Sequence, residues 1–274
     1  NLNLVFVLTP SGNHYEIVKY LINKKINILC EKPLTMVPNQ SLELFRLSKK
    51  NKVMLCVAYQ NRLNPAVKFL KESIKKKKFG KVIKASVSIL WCRRQNYYND
   101  EWHGTWKMDG GVVNQQAIHY IDILRWVFGP VKEVFCYMGN RLNKLEAEDT
   151  AVAAIKFKNG ALGTVEATTA ARPIDIHASL SLVGSKGTIV LGGLALNKIT
   201  RIIGLKNSKS IIKKYSQEFK NGYGISHLPL IKAVIKNLRN KKIISPINAV
   251  ESFKTTQLIH AMYSSNEKKK ICFN

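Results

Sequence analysis

The first sixty residues alternate between short apolar runs and stretches with apolar residues at helical spacing. Leu4 to Leu8 is an uninterrupted apolar run and predicts a buried parallel strand. Thr9-Pro10-Ser11-Gly12 reads as a turn, with Ser11 placed to cap a helix. His14 to Asn23 carries Ile17, Val18, Leu21 and Ile22 on one helical face. Ile26 to Leu29 is a second strand, and Ser41 to Lys50 a second helix with Leu42, Phe45 and Leu47 inward. Val53 to Ala58 is a third strand. Strands joined by single helices imply right-handed crossovers and a parallel sheet.

The pattern changes beyond this point. Pro65 to Lys78 predicts a helix with proline in its first turn, and Val82 to Leu90 alternates as a strand. Residues 91–111 form a loop rich in aromatics and glycine, and Val112 to Phe128 a single helix. Strands follow at 131–138, 150–157, 161–170, 176–184 and 187–191, with hairpin turns at Asn159-Gly160 and Ser185-Lys186-Gly187. Helices at 226–239 and 249–264 close the chain. The expected fold class is α/β plus α+β. A partial parallel sheet occupies residues 1–62, and residues 63–274 form a domain with a large, mostly antiparallel sheet.

Composition changes this picture little. The 274 residues are 46% hydrophobic and 22% charged, which suits a globular protein with a large core. No apolar run reaches the roughly 18 residues of a membrane span, and the first residues lack the basic flank of a signal peptide. Cys30, Cys56, Cys92, Cys136 and Cys272 are odd in number and form no CxxC, so reduced thiols in a cytoplasmic setting are expected, without a disulfide frame or a metal site. The net charge of +27 is unusual, but nine basic residues are arginine and 35 lysine, spread along the chain with short runs at Lys75–Lys78 and Lys268–Lys270. A nucleic-acid partner is therefore not expected, because such a face would concentrate arginine with exposed aromatics. The charge should still steer anionic ligands toward the molecule.

Three motifs stand in order: "TPSGNH" after the first strand with "EKPL" following, "GGVVNQQAIHYID" opening a helix, and "VGSKGTI" at a late hairpin. Together they resemble the glucose–fructose oxidoreductase / inositol dehydrogenase / MocA family of NAD(P)-dependent dehydrogenases. "WHGTWKMDGG" with "EDTAVAAIKFKNGALGTVEATTAARP" looks most like branches acting on sugars or nucleotide sugars. The resemblance implies NAD or NADP as cofactor, a sugar or nucleotide-sugar substrate, and homo-oligomers formed through the antiparallel sheet.

It also implies site residues. The lysine of EKP, here Lys32, would reach both the nicotinamide and the reacting hydroxyl, with a cis bond to Pro33. The residues themselves agree on placement: a residue before proline is kept out of the helical region, and the end of a parallel strand is where such sheets bind ligands. The alternative is a solvated turn lysine. His119 would help remove the hydroxyl proton, a task suited to histidine; otherwise it packs between helix and sheet. Gln115 lies four residues earlier on the same helical face, where the family usually carries Asp or Asn. Glutamine can hydrogen-bond but cannot take a proton, so Lys32 and His119 remain the acid/base candidates. Thr9, Pro10, Ser11, His14 and Glu31 match the family's cofactor side, and Gln60 and Arg62 its nicotinamide pocket. Arg93, Arg94, Tyr97 and Trp106, with Tyr98, Trp102 and His103, crowd the loop before Gly110-Gly111 and are candidates to hold a sugar or phosphate; Arg172 is another. Packing of the loop or a subunit contact would use the same residues.

No GxGxxG is present; "GGL" at 192–194 follows hairpins and does not open a helix after a first strand. The family carries that loop on a strand preceding the first one here. The chain, which begins at Asn1 inside a strand, is expected to be a fragment that binds dinucleotide weakly or not at all on its own.

Overall fold

The computed structural model describes residues 2–219, 224–266 and 270–273. Lys268 and Lys269 of the predicted lysine run lie outside them. The chain builds two sheets. β1 (Leu4–Val7), β2 (Asn27–Cys30) and β3 (Leu55–Val57) pair in that order, all parallel, with Leu4 opposite Asn27 and Ile28 opposite Leu55. α1 (His14–Asn23) and α2 (Pro38–Lys50) are the crossovers. Being at the edge, β1 leaves Phe6 42% exposed, and Leu8 just after it is 69% exposed. Such an apolar edge invites pairing with another strand.

The first turn and α2 depart from the pattern reading. Ser11 opens a one-turn 3-10 helix, Ser11–Asn13, whose cap position is Pro10, so its hydroxyl caps nothing. α2 begins at Pro38, three residues earlier than predicted, because proline suits the first helical turn. It buries Ser41, Leu44 and Ser48 most deeply. Leu42, Phe45 and Leu47 only flank that face. Small serines let the helix approach its neighbours closely, a preference that hydrophobicity alone does not reveal.

α3 (Pro65–Lys75) leads into β4 (Val82–Leu90), the heart of an eight-stranded sheet. After the 91–111 loop come α4 (Val112–Gln115) and α5 (Ile118–Phe128), then β5 (Val131–Gly139), β6 (Thr150–Phe157), β7 (Leu162–Thr168), β8 (His177–Gly184), β9 (Gly187–Gly192) and β10 (Lys198–Ile203). α6 (Ser208–Tyr215), α7 (His227–Arg239), α8 (Ala249–Ser265) and the short β11 (Ile271–Cys272) complete it. The strand order is β10-β9-β8-β4-β7-β6-β5-β11. Every neighbouring pair is antiparallel except β4 with β7, which run parallel with Lys84 opposite Leu162, so the sheet is mixed.

One face of this sheet is covered. β4 turns Ala85, Val87 and Ile89 inward against α5, whose Ile118, Ile121 and Leu124 are fully buried. Truncating one such leucine to alanine typically costs about 2–5 kcal/mol. α8 packs against both α2 and β5, tying the two sheets together. Its first turn is capped by Asn248, whose side chain accepts from the Val250 and Glu251 amides at 3.0 and 3.3 Å.

The predicted helix 112–128 is interrupted at Gln116–Ala117, separating α4 from α5. The Ala117 amide reaches back to the Val112 carbonyl at 2.8 Å, a wider turn than an α-helix makes. At this break the Gln115 carbonyl accepts the Lys32 ammonium.

Candidate active site

Parallel strands present their carboxyl ends on one side of the first sheet. There the Glu31 amide donates to the Val7 carbonyl at 2.9 Å, and the Ala58 amide to the Cys30 carbonyl at 2.8 Å. Beyond these last ladder bonds the chain turns away, and Lys32 and Gln60 project outward. The Lys32–Pro33 bond is cis, as the resemblance implies, and so is Arg172–Pro173. Lys32 Nζ donates to both oxygens of Gln115, at 2.7 Å to the backbone carbonyl and 2.8 Å to Oε1. Neither oxygen is charged.

A cavity of about 560 Å³ opens here. Glu31, Lys32, Gln60 and Asn61 line it from the first sheet, and Gln115, Gln116, His119 and Tyr120 from α4, α5 and the break between them. Trp91, Arg93, Tyr97, Trp102 and His103 line it from the long loop, and Asp175, Leu194 and His227 close it. Lys32 and His119, from two different motifs of the set, thus face one space. A larger cavity of about 710 Å³ lies apart, between α5, α8 and the C-terminal strand, and includes no residue expected to carry chemistry.

Burial shifts both groups toward their neutral forms. Burial lowers the Lys32 pKa, opposed by the charges of Glu31 and Asp109. Burial, with help from the Lys32 charge, pushes His119 down to about 3, so its imidazole is neutral at physiological pH. His119 Nδ1 is buried without a partner among the described residues, and its Nε2 lies 3.5 Å from the Gln60 amide nitrogen. Gln60 Oε1 is likewise buried and unpartnered. Buried polar atoms seldom go unmatched, and these two stand beside the cavity without a partner among the described residues. Burial pushes Glu31 up, but the bond to His227 and the Lys32 charge outweigh it and hold its carboxyl below the usual range.

Several expected residues lie elsewhere. Thr9, Pro10, Ser11 and His14 do not line the cavity. His14 is buried with its ring nitrogens 2.7 Å from the Pro33 carbonyl and 2.8 Å from that of Thr9, joining the turns that follow β1 and β2. Arg62 is 5% exposed and points away from the cavity. It forms a fork on Asp122 with both bonds at 2.6 Å and reaches Glu251 at 3.0 Å. Arg94 is exposed outside the cavity, and Trp106, 50% exposed, meets the Tyr263 ring edge-on at 5.2 Å. Arg172 bonds Asn143 Oδ1 at 2.9 Å and neighbouring carbonyls. Arg93 and Tyr97 do line the cavity, with the Arg93 guanidinium 5.1 and 5.8 Å from the Trp91 and Tyr97 ring centres.

Residues the pattern reading missed include Asp175, which holds Arg93 at 3.1 Å, and His227, 3.4 Å from Glu31. Tyr120 also lines the cavity next to His119; consecutive helical residues point to different faces, so spacing alone does not reveal its place. Among the described residues, no group of three or more His, Cys, Asp or Glu side chains converges as a metal site, and no helix is long and apolar enough to cross a membrane. All five cysteines are free.

Known proteins share this fold. Residues 1–59 match the oxidoreductase family with an NAD-binding Rossmann fold, and residues 67–190 the Gfo/Idh/MocA C-terminal domain. The chain belongs to the Gfo/Idh/MocA family. The solved WlbA dehydrogenase of Chromobacterium violaceum, in complex with NADH and UDP-GlcNAcA, superposes with a TM-score of 0.91 at 31% identity, covering 99% of this chain and 78% of that one. WlbA of Bordetella pertussis, with the same ligands, gives 0.94 at 29% identity, covering 100% and 80%. Myo-inositol 2-dehydrogenase of Thermotoga maritima is 26% identical, covering 88% of this chain and 70% of the relative. Of other curated relatives the chain spans about half, 54% and 48% in two cases.

Proposed function

We propose that this chain is the substrate-binding and proton-transferring part of an NAD-dependent dehydrogenase that acts on a ring carbinol of a sugar or nucleotide sugar. The observation that carries the reading is the cavity in which Lys32, held only by neutral oxygens, faces a neutral His119. The unpartnered polar atoms fit a nicotinamide end. Gln60 Oε1 can accept from a carboxamide, and Lys32 and Glu31 stand beside it at the strand end. When bound, the dinucleotide supplies the hydride acceptor for oxidation or the donor for reduction.

The chain's own groups handle the proton. In oxidation the carbinol carbon loses hydride, so its hydroxyl must lose H⁺. His119, uncharged at neutral pH, accepts that proton on a ring nitrogen. Lys32 donates a hydrogen bond to the same oxygen and stabilises the charge that develops on it. Gln115 cannot relay a proton; it holds the ammonium in place through two contacts. Trp91, Tyr97 and Trp102 offer apolar faces for a sugar or base, and Arg93, steadied by Asp175, offers a cation for a carboxylate or phosphate. The WlbA structures, solved with UDP-GlcNAcA, support an anionic nucleotide sugar as the finer class.

The open face of the eight-stranded sheet, with Tyr137 and Val152 58% and 51% exposed, suits a subunit contact, which sedimentation would test. For the activity, the test is a panel of free sugars, inositols and UDP-sugars with NAD⁺ and the protein carrying its complete dinucleotide domain. Nicotinamide reduction is expected, fastest with a UDP-sugar acid. A protein that binds these sugars tightly without any redox change would instead be a sugar-binding member of the family.

A further inference from the structure

We propose that Glu148 is a positioning residue for Lys32, acting through the single turn of α4. The statement about Lys32's position stands on its own; its consequence for turnover rests on the dehydrogenase reading above.

Glu148 lies just before β6, on the far side of α4 from Lys32. Its backbone carbonyl accepts the Val112 amide at 2.9 Å, and its side-chain Oε1 accepts the Val113 amide at 2.9 Å. One residue thus holds two consecutive amides of the first turn. α4 ends at Gln115, whose two oxygens hold Lys32 Nζ at 2.7 and 2.8 Å. The route is continuous: Glu148 to the start of α4, α4 to Gln115, Gln115 to the ammonium. Because α4 and α5 are separate helices, α5 does not by itself fix the orientation of Gln115.

The close approach is built into the sequence. A Cβ on Gly111 would lie 2.2 Å from the Glu148 carboxyl carbon and Oε2 and 2.3 Å from its backbone oxygen, so only glycine fits there. Glu148 is 2% exposed, and Oε2 takes no hydrogen bond among the described residues. The groups facing it are the Tyr263 hydroxyl from α8, 3.4 Å from Oε1, the Asp109 carboxyl from the preceding loop, and the Cys136 thiol from β5. None is a cation. A buried carboxyl without a counter-charge is not there for ion pairing, and its one engaged oxygen serves the backbone of α4. Burial accordingly raises its pKa to about 7.

The test reads Lys32 directly. Hydrogen exchange of the Lys32 ammonium is followed by proton–nitrogen NMR on this chain, with the signal assigned by its loss in Lys32→Arg. Glu148→Ala is expected to speed exchange by roughly tenfold, the scale of one net hydrogen bond lost. Glu148→Gln keeps an acceptor for Val113 and should exchange like the wild type. Glu148→Asp, which withdraws the acceptor by one methylene, should fall on the side of Ala and decides the matter if Ala does not fold. In the complete enzyme, Glu148→Ala should lower kcat with the NAD dissociation constant nearly unchanged, and Gln should restore kcat. Wild-type ammonium exchange in a folded Ala or Asp variant overturns the proposal. Altered exchange in the Glu148 variants, together with a complete wild-type enzyme that transfers no hydride, would leave the positioning intact and defeat the dehydrogenase reading instead.

Discussion

Lys32 and Arg62 both lie just beyond the carboxyl ends of neighbouring strands, β2 and β3, yet they meet opposite surroundings. Arg62 is enclosed by two carboxylates, Asp122 and Glu251, with Arg125 completing the cluster at 2.7 Å from Glu251. Asp122 also accepts from Thr255 at 2.7 Å, so the buried charges are compensated. Burial works against the charge of Glu251, but Arg125 and Arg62 hold its carboxyl down near 2. Lys32 has two amide oxygens and no carboxylate bonded to it. The comparison separates two uses of a buried cation. Full pairing fixes charge and joins elements; neutral pairing leaves the cation's charge free to serve a reacting oxygen.

The largest expected effect lies on the Arg62 side. Arg62→Ala leaves Asp122 buried beside a weakened cluster and should destabilise the fold by about 3–5 kcal/mol, measured by denaturant unfolding. A loss under about 1 kcal/mol, with activity abolished instead, would mean that Arg62 serves a ligand and that the comparison is drawn wrongly.

Gln115→Asp moves Lys32 toward the Arg62 condition. A carboxylate beside the ammonium stabilises its charged form, so the Lys32-dependent limb of the kcat profile should shift to higher pH by about one unit. An unshifted profile would show that the neutrality of residue 115 does not tune the lysine.

A smaller effect concerns acid stability. Burial holds His119 at about 3 in the fold, against 6.5 for a free imidazole. The unfolded chain therefore binds the proton first, and stability is full above the free imidazole's value and lost as pH falls toward the folded one. His119→Gln should flatten the pH dependence of the melting temperature across this window. An identical slope in the variant would place the acid sensitivity elsewhere, for instance in Glu251, whose lowered pKa acts in the same direction near its lower end.

Much of this was legible in the sequence because it is local. Alternation marked β4 through β9, and the EKP and helix motifs marked Lys32 and His119. What escaped depends on distant partners. Arg62 read as a pocket residue because its spacing from β3 is right, while Glu251, which holds it, lies 189 residues later. Asp175 and His227 reach the cavity from a cis-proline turn and the start of α7, which periodicity does not align with β2. The parallel register of β4 with β7 is a non-local pairing between strands that each look antiparallel. β10, α6 and β11 carry short, weakly patterned runs whose stability comes from packing on neighbours. The break after Gln115 has apolar residues on both sides at helical spacing, so the pattern ran through it unbroken.

The central claim is that the lysine held by neutral oxygens works with His119 in moving the hydroxyl proton, by stabilising the oxygen that loses it. Its most direct test is the turnover of Lys32→Ala in the complete enzyme at saturating substrate, followed by nicotinamide absorbance. Turnover should fall by roughly 10²–10⁴-fold, the scale of a lost acid/base group, with the melting temperature little changed. Unchanged turnover in a folded Lys32→Ala protein would contradict the account and leave Lys32 a turn residue at the end of β2.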